Sequence, residues 1–326
     1  MERIDVIEAD LSKPKLGLSE DVYTSLAENV TDIVHNAWLM HSKWPIKRFE
    51  PQLRIMMNMV GLACDISVRR WEAGAKTLVT FEFISSIATV GHHQLQGNSH
   101  RRPAVPELRV PVESVLPTGY GDAKYTCERL LDATLHQHPD RFRVAAVRLG
   151  QIAGSSLNGY WNPTEHVSFL VKSSQTLRAL PDLNGTLGWT PVDAMANTLL
   201  DILLQPDYVR LHPIYHIENP VRQLWADMIA TLADVLGIAD VVPFGEWVRR
   251  VREWPVKADN NADGTNPAYL LTDFLDDNFT RMSCGGLLMG TANAREHSPT
   301  LAQVGPVSEA TTRLYVSKWR EMGFLK

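Results

Sequence analysis

Tyr120 and Lys124 stand four residues apart in GYGDAKYTCERLL, and upstream the apolar run TFEFISSIATVG stops at two hydroxyls, Ser85 and Ser86. Four residues are one helical turn, so a helix would place the phenol and the ammonium on one face. Such a set can move a proton onto or off a carbonyl oxygen. Hydride addition to a carbonyl leaves an alkoxide that must be protonated in or near the transition state. A tyrosine with its ordinary pKa of about 10 is a poor acid and a poor base at neutral pH. A cationic lysine one turn away stabilises the phenolate and lowers that pKa, while a serine hydroxyl can donate to the carbonyl oxygen and fix it. Asn58 is positioned in the sequence to support the lysine through a water. The plain alternative for Tyr120 and Lys124 is an exposed helix pair contributing a few tenths of a kcal/mol. Context favours chemistry, because a strand ending in serines precedes the pair and another strand follows it.

The elements that must position these groups follow from local pattern. Residues 3–8 (RIDVIE) are expected to form a strand, with the Asp10–Pro14 loop after it; residues 19–29 a helix capped by Ser19; and residues 31–35 a strand ending at Asn36 and Ala37. Apolar residues recur at helical spacing from 49 to 73, residues 78–84 form the strand that carries the serines, the Tyr120 helix runs to about 137, and residues 143–149 form another strand before Gly150 and Gly154. This alternation predicts a parallel sheet with helices on its faces, whose ligands bind beyond the carboxyl ends of the strands. Asp10, Asn36, Ser85, Ser86 and Gly150 would then share one rim. The proline-rich stretch 92–118 is too long for a simple connector. Beyond Gly154 the pattern changes: an aromatic loop at 158–166, helices near 167–180, 194–204 and 223–236, a returning strand near 213–217, a polar surface loop at 257–268 and a final helix from Ser308 to about 322. Trp161, in its Gly/Asn/Pro loop, is the tryptophan expected near substrate.

Composition narrows the class. The 326 residues are 44% hydrophobic and 21% charged, with a net charge of -5; this gives no electrostatic reason to expect nucleic acid or an anionic membrane as partner. Three scattered cysteines fit reduced thiols in the cytoplasm better than a disulfide framework. No apolar run approaches the length that spans a bilayer, and the acidic N-terminal residues lack a signal-peptide layout. His92-His93 and His136/His138 lack a third ligand at useful spacing, so no metal is expected. GGLLMGT (285–291) lacks the lysine of a phosphate-binding P-loop and reads as a turn.

Taken together, ADLSKPKLGLS, IVHNAW, FISSIATVG, GYGDAK, VRLGQIAG, NGYWNPTEH, WTPVDAMANTLLDIL, YHIENP and LLTDFLDDNFTRMSCGGLLMGT resemble the extended short-chain dehydrogenases/reductases. Within that superfamily they look most like the male-sterility-type NAD-binding, thioester-reductase domain of fungal adenylate-forming and carboxylic acid reductases. The resemblance covers essentially the whole chain. It implies NADPH-dependent reduction of an acyl thioester on an acyl or peptidyl carrier protein, or of a small acyl substrate, to an aldehyde in secondary metabolism. Carried over position by position, it makes Ser86, Tyr120 and Lys124 catalytic. Asp10, Leu11, Asn36, Ala37, Tyr120, Lys124, Gly150, Gln151 and Ile152 would line the cofactor, and Ser85, Trp161, Thr190 and Asp193 the substrate. The implied fold is an N-terminally truncated Rossmann-type doubly wound parallel sheet with a smaller, partly helical C-terminal substrate lobe. Residues 1–155 would form the partial NAD(P)-binding and catalytic core and 156–326 the lobe, in one integrated reductase domain. The family's glycine-rich pyrophosphate turn has no counterpart in this sequence. Two other readings therefore stand beside the reductase: a non-catalytic remnant acting as a binding or accessory protein, and another extended-family dehydrogenase or epimerase.

Overall fold

Strands β1 (Asp32–His35), β2 (Val79–Ser86), β3 (Phe142–Leu149) and β4 (Ile214–Ile217) form one sheet in the order β1-β2-β3-β4. This is seen in a computed structural model that describes residues 4–41, 43–95, 104–254 and 264–326. The β1–β2 and β2–β3 pairs are parallel, with Val34 opposite Glu82 and Glu82 opposite Ala145. The chain divides into two units: residues 1–149, 200–216 and 291–297 form the first, and residues 150–199, 217–290 and 298–326 the second.

In the first unit, helices α1 (Glu20–Asn29), α2 (Glu50–Glu72) and α3 (Gly119–Ala133) alternate with the strands. Side chains of a strand alternate between faces, and this sorts β2 and β3. Val79, Phe81 and Phe83 join Phe142, Val144 and Ala146 in a core with Met56, Val60, Ala63 and Ile66 of α2 and Cys127 and Leu131 of α3. The opposite face carries Thr80, Glu82 and Ile84 beside Arg143, Ala145 and Val147, all of them buried. Burial on both faces explains why these strands read as nearly continuous apolar runs.

The sequence reading needs four corrections in this fold. Residues 4–8 form no strand, and Ile4 and Val6 are 85% and 92% exposed; β propensity alone does not make a strand without a partner to take its main-chain bonds. The Tyr120 helix stops at Ala133, where Thr134 leaves helical geometry (φ -124°, ψ -96°), and residues 135–137 form a separate 3-10 turn. The helix of residues 166–177 ends earlier than expected: Arg178 turns left-handed at φ 53°, and Ala179–Asp182 continues as a strand paired in parallel with Asp240–Pro243. Ser19 occupies the N-cap position of α1 without a side-chain capping bond. Most of the loop expected at 257–268 lies outside the described residues.

The second unit is built around aromatic rings. Trp161 lies 5.0 Å from Trp189, 5.1 Å from Tyr315 and 5.5 Å from Trp319, centroid to centroid. Trp225, Trp247 and Trp319 are among the largest fully buried side chains of the chain. Gly159 is required where it stands: at φ 74°, an added Cβ would meet the Leu314 carbonyl oxygen at 2.7 Å.

Beneath the serine-bearing end of β2 lies a buried polar network. Ser85 Oγ donates to Glu128 Oε1 at 2.6 Å; Arg148 Nε donates to the same oxygen at 2.9 Å, and Nη2 to Oε2 at 2.7 Å. Arg148 Nη1 donates to the Leu108 carbonyl at 3.1 Å, tying the long 104–118 segment to β3. Glu107 of that segment accepts from His216 N at 2.9 Å and from Ala294 N at 3.1 Å. Two-point pairing and complete burial make Arg148–Glu128 a stiff joint between β3 and α3. Removing one partner leaves a buried charge. Glu128→Ala is therefore expected to cost about 3–5 kcal/mol in urea unfolding, and a loss below about 1 kcal/mol would show the joint to be unimportant.

Glu82, 1% exposed, has no hydrogen-bond partner for either carboxylate oxygen among the described residues, and burial pushes its carboxyl from 4.5 up to about 8. Between those values the folded chain holds a proton that the unfolded chain releases, so this group's contribution to stability falls as pH rises from 4.5 to 8. Glu82→Gln should flatten that slope and raise the melting temperature at pH 8 more than at pH 5; equal shifts at both would refute the assignment.

Candidate active site

β2 delivers two serines with different hydrogen-bond roles. The Ser85 hydroxyl proton is given to Glu128. Ser86, opposite Leu149 in the register, accepts from Ala88 N at 3.2 Å and so caps the short turn Ile87–Val90. No acceptor takes its hydroxyl proton among the described residues. A hydroxyl has one proton and two lone pairs, so Ser86 can still donate to an incoming oxygen while its own oxygen is held in place.

α3 begins where Thr118 Oγ1 accepts from Gly121 N at 3.1 Å. Gly119 allows the helix to enter tight against the 44–46 segment, since a Cβ there would lie 2.3 Å from the Trp44 carbonyl oxygen. One turn on, Lys124 is 97% buried by its 3% exposure, and its Nζ donates to the Ile84 carbonyl at 2.6 Å. The ammonium lies 4.0 Å from the Trp38 ring centroid, 4.8 Å from that of Phe83 and 6.0 Å from that of Tyr120. Tyr120 is half-buried and meets Phe49 edge-on at 6.3 Å. Burial lowers the Lys124 pKa from 10.5 to about 7, against the smaller opposing pull of Cys127 and Glu128. His35, at the end of β1, is driven down to about 4, first by burial and then by the Lys124 charge. An anion forming beside Lys124 would be stabilised in a poorly solvated setting. Asn58 Nδ2 donates to the Leu11 carbonyl at 2.8 Å and the Lys13 carbonyl at 3.0 Å.

The remaining sequence candidates divide between the two units. In the first, Asp10 accepts from Ser12 Oγ at 2.6 Å and pairs with Lys13 at 3.3 Å, which holds its carboxyl below the usual range; Leu11 is half-buried, and Asn36 and Ala37 are exposed just past β1. In the second, Gly150 N donates to the Ile217 carbonyl at 2.9 Å, Gln151 O accepts from Thr190 N at 3.1 Å, and Ile152 pairs with Thr190 in a two-residue parallel ladder. The Thr190 hydroxyl is buried without a partner among the described residues. Asp193 accepts from Ser156 N at 2.7 Å and from Ser156 Oγ, pinning the turn before the aromatic loop. Trp161 is 3% exposed and packed on three sides by rings. The sequence reading missed Trp38, Phe83 and the Glu128–Arg148 pair. Glu128 was within reach, since it continues the Tyr120, Lys124 spacing by one more turn. Lys124 uses one of its three donors on Ile84 and has no other hydrogen-bond partner among the described residues, so it keeps donors for a ligand oxygen. No described residue supplies a glycine-rich turn, so none is assigned to the pyrophosphate.

Of the histidines weighed as metal ligands, His93 contacts Ser114 Oγ at 3.0 Å and His136 pairs with Asp132 at 2.9 Å. Among the described residues the one group of three such side chains close enough to share an ion is His212, Glu296 and His297, with ligand atoms within 4.8 Å of one another.

Residues 1–199 match the NAD-binding family described as male sterility protein. The chain is 63% identical over 328 residues to a 3-methylorcinaldehyde synthase of Phoma sp., covering 99% of this chain and 12% of that protein. It is 56% identical to a non-reducing polyketide synthase of Monascus ruber, again covering 12% of the relative; the chain thus spans a small fraction of the length of the curated relatives it matches. Among solved structures, the terminal R domain of the myxalamid PKS-NRPS pathway superposes with a TM-score of 0.76 at 20% identity, over 98% of this chain and 76% of that one. The reductase domain of a nonribosomal peptide synthetase from Mycobacterium tuberculosis does so at 0.64 and 20%, over 99% and 77%; both show a common fold. The chain belongs to the male sterility NAD-binding family, the thioester-reductase type of extended short-chain dehydrogenase/reductase.

Proposed function

We propose that this chain reduces an acyl thioester, carried on the phosphopantetheine arm of an acyl carrier protein, to an aldehyde, with NADPH as reductant and Ser86, Tyr120 and Lys124 as the catalytic set. The observation that carries the proposal is Lys124: a buried ammonium one turn from Tyr120, anchored to the serine-bearing strand through the Ile84 carbonyl. The name of the Phoma relative, an aldehyde synthase, supports aldehyde as product. The three free cysteines support a reducing cytoplasmic setting. No helix among the described residues is long and apolar enough to cross a membrane.

NADPH supplies the hydride when bound. Ser86 donates to the thioester carbonyl oxygen and holds it as negative charge develops there. Tyr120 gives the proton that turns the resulting alkoxide into a hemithioacetal, and Lys124 stabilises the phenolate left behind. Collapse of the hemithioacetal breaks the C–S bond, releasing aldehyde and the carrier thiol. In this reading Ser85 supports the end of β2 through Glu128, the cofactor side is assigned to Asp10, Leu11, Asn36, Ala37, Gly150, Gln151 and Ile152, and the substrate side to Thr190, Asp193 and Trp161.

Two tests follow. Tyr120→Phe should lower thioester-dependent NADPH oxidation by about 100-fold or more; unchanged turnover would remove the mechanism. Ser86→Ala should lose about 100-fold in kcat with the melting temperature nearly unchanged, whereas Ser85→Ala should lower stability more than it lowers kcat. The reverse pattern would exchange the two serines' roles.

A further inference from the structure

The second unit holds a cavity of about 200 Å³ lined by Ile152, Tyr160, Trp161, Glu165 and Val192, among others. Its walls are aliphatic and aromatic apart from Asn162 and Glu165. The Asn162 side chain is already in use, accepting from Thr164 N at 3.1 Å and from Thr164 Oγ1 at 2.9 Å. Glu165 is different. It is the N-cap residue of helix 166–177, yet its side chain caps nothing, and among the described residues its carboxylate has no hydrogen-bond partner. Only its main chain is engaged, N–H to the Asn162 carbonyl and C=O from Phe169 N. A half-buried carboxylate left in this state, its pKa raised by burial, is an acceptor without a donor in a pocket otherwise built for apolar contact.

The pocket is held rigidly before anything enters it. Trp319 Nε1 donates to the Trp161 carbonyl at 2.9 Å, Tyr315 Oη to the Gly154 carbonyl at 2.8 Å, Ser168 Oγ to the Asn162 carbonyl at 2.8 Å, and Ser155 N to the Tyr160 carbonyl at 2.9 Å. Such bonds fix the loop that carries Tyr160 and Trp161, so little ordering cost remains for a ligand. An apolar cavity of roughly 150 Å³ suffices for a benzene molecule, so this one accepts a single substituted ring.

We propose that this pocket receives the ring of an aromatic acyl group and that Glu165 accepts a hydrogen bond from a hydroxyl on that ring, making Glu165 a specificity-determining residue. The proposal rests on the reductase reading for the identity of its ligand as substrate. A neutral phenol is favoured over an ammonium, because only one wall carries charge and an ion would lose more hydration on entry.

Calorimetry on the 326-residue chain without cofactor separates this from the chemistry. The probes are 2,4-dihydroxybenzaldehyde, its 2,4-dimethoxy analogue and benzylamine. The dihydroxy compound should bind at least about tenfold more tightly than the dimethoxy compound, since a site built around a hydroxyl discriminates against a ligand without one. Glu165→Leu, with unchanged circular dichroism, should reduce the preference to no more than about threefold. Val192→Phe, which fills the cavity from another wall, should abolish binding of both aldehydes, so the outcome does not rest on a single variant. No binding by the wild type, equal affinity for the two aldehydes, preference for benzylamine, or a preference that survives Glu165→Leu would each overturn the proposal. If Tyr120→Phe stops turnover but the pocket shows no hydroxyl preference, only this inference fails. If the preference holds and Tyr120→Phe remains active, the reduction mechanism fails and the pocket stands.

Discussion

The first unit depends on an ammonium kept out of water. Lys124 is held between the Ile84 carbonyl and the faces of Trp38 and Phe83, and removing a cation from solvent is costly unless something nearby repays it. Ring faces and one carbonyl repay it in part, which is why the pKa falls to about 7. The remaining cost makes the position responsive: negative charge arising beside Lys124 restores the proton and is stabilised in return. The same constraint sets what surrounds it. His35 is held neutral, and α3 enters through a glycine that lets the helix approach the 44–46 segment.

A buried charge pair, Glu128 with Arg148, stands behind this ammonium. Glu128 follows Lys124 by one turn and faces Arg148 of β3, with Ser85 between strand and helix. Through this joint the end of β2 is tied to α3 and β3 at once, so the orientation of Ser86 is set by residues that need not touch a substrate. Adjacent serines of a strand point to opposite faces; here one is built into the scaffold and the other keeps its proton available. Type and spacing show two equivalent hydroxyls, and only the partner of each distinguishes them.

The second unit solves a different problem. Its aromatic loop is rigid because Trp161 is packed among Trp189, Tyr315 and Trp319 and because its main chain is bonded on several sides. A tryptophan in a Gly/Asn/Pro loop looks accessible in sequence. The structure makes it a wall whose far side is core, and the idle polar group beside it is Glu165, which nothing in the local pattern singles out. Asp193 likewise acts on the loop itself, through Ser156.

Sequence alone determined the order of strands and helices around Tyr120 and Lys124, because alternating and helical apolar periods follow from which face of each element is buried. It also determined that phenol and ammonium share a helical face, since one turn is a local property. It misjudged residues 4–8 and 178–182, where a strand exists or fails to exist according to whether a partner takes its main-chain bonds. Tertiary structure decided which serine holds a free proton, that Asn58 serves the 11–13 loop, that Lys124 is desolvated by Trp38 and Phe83, and that Glu165 lacks a partner. Those are facts about what lies across a gap in space from residues distant in the chain, and no local spacing encodes them.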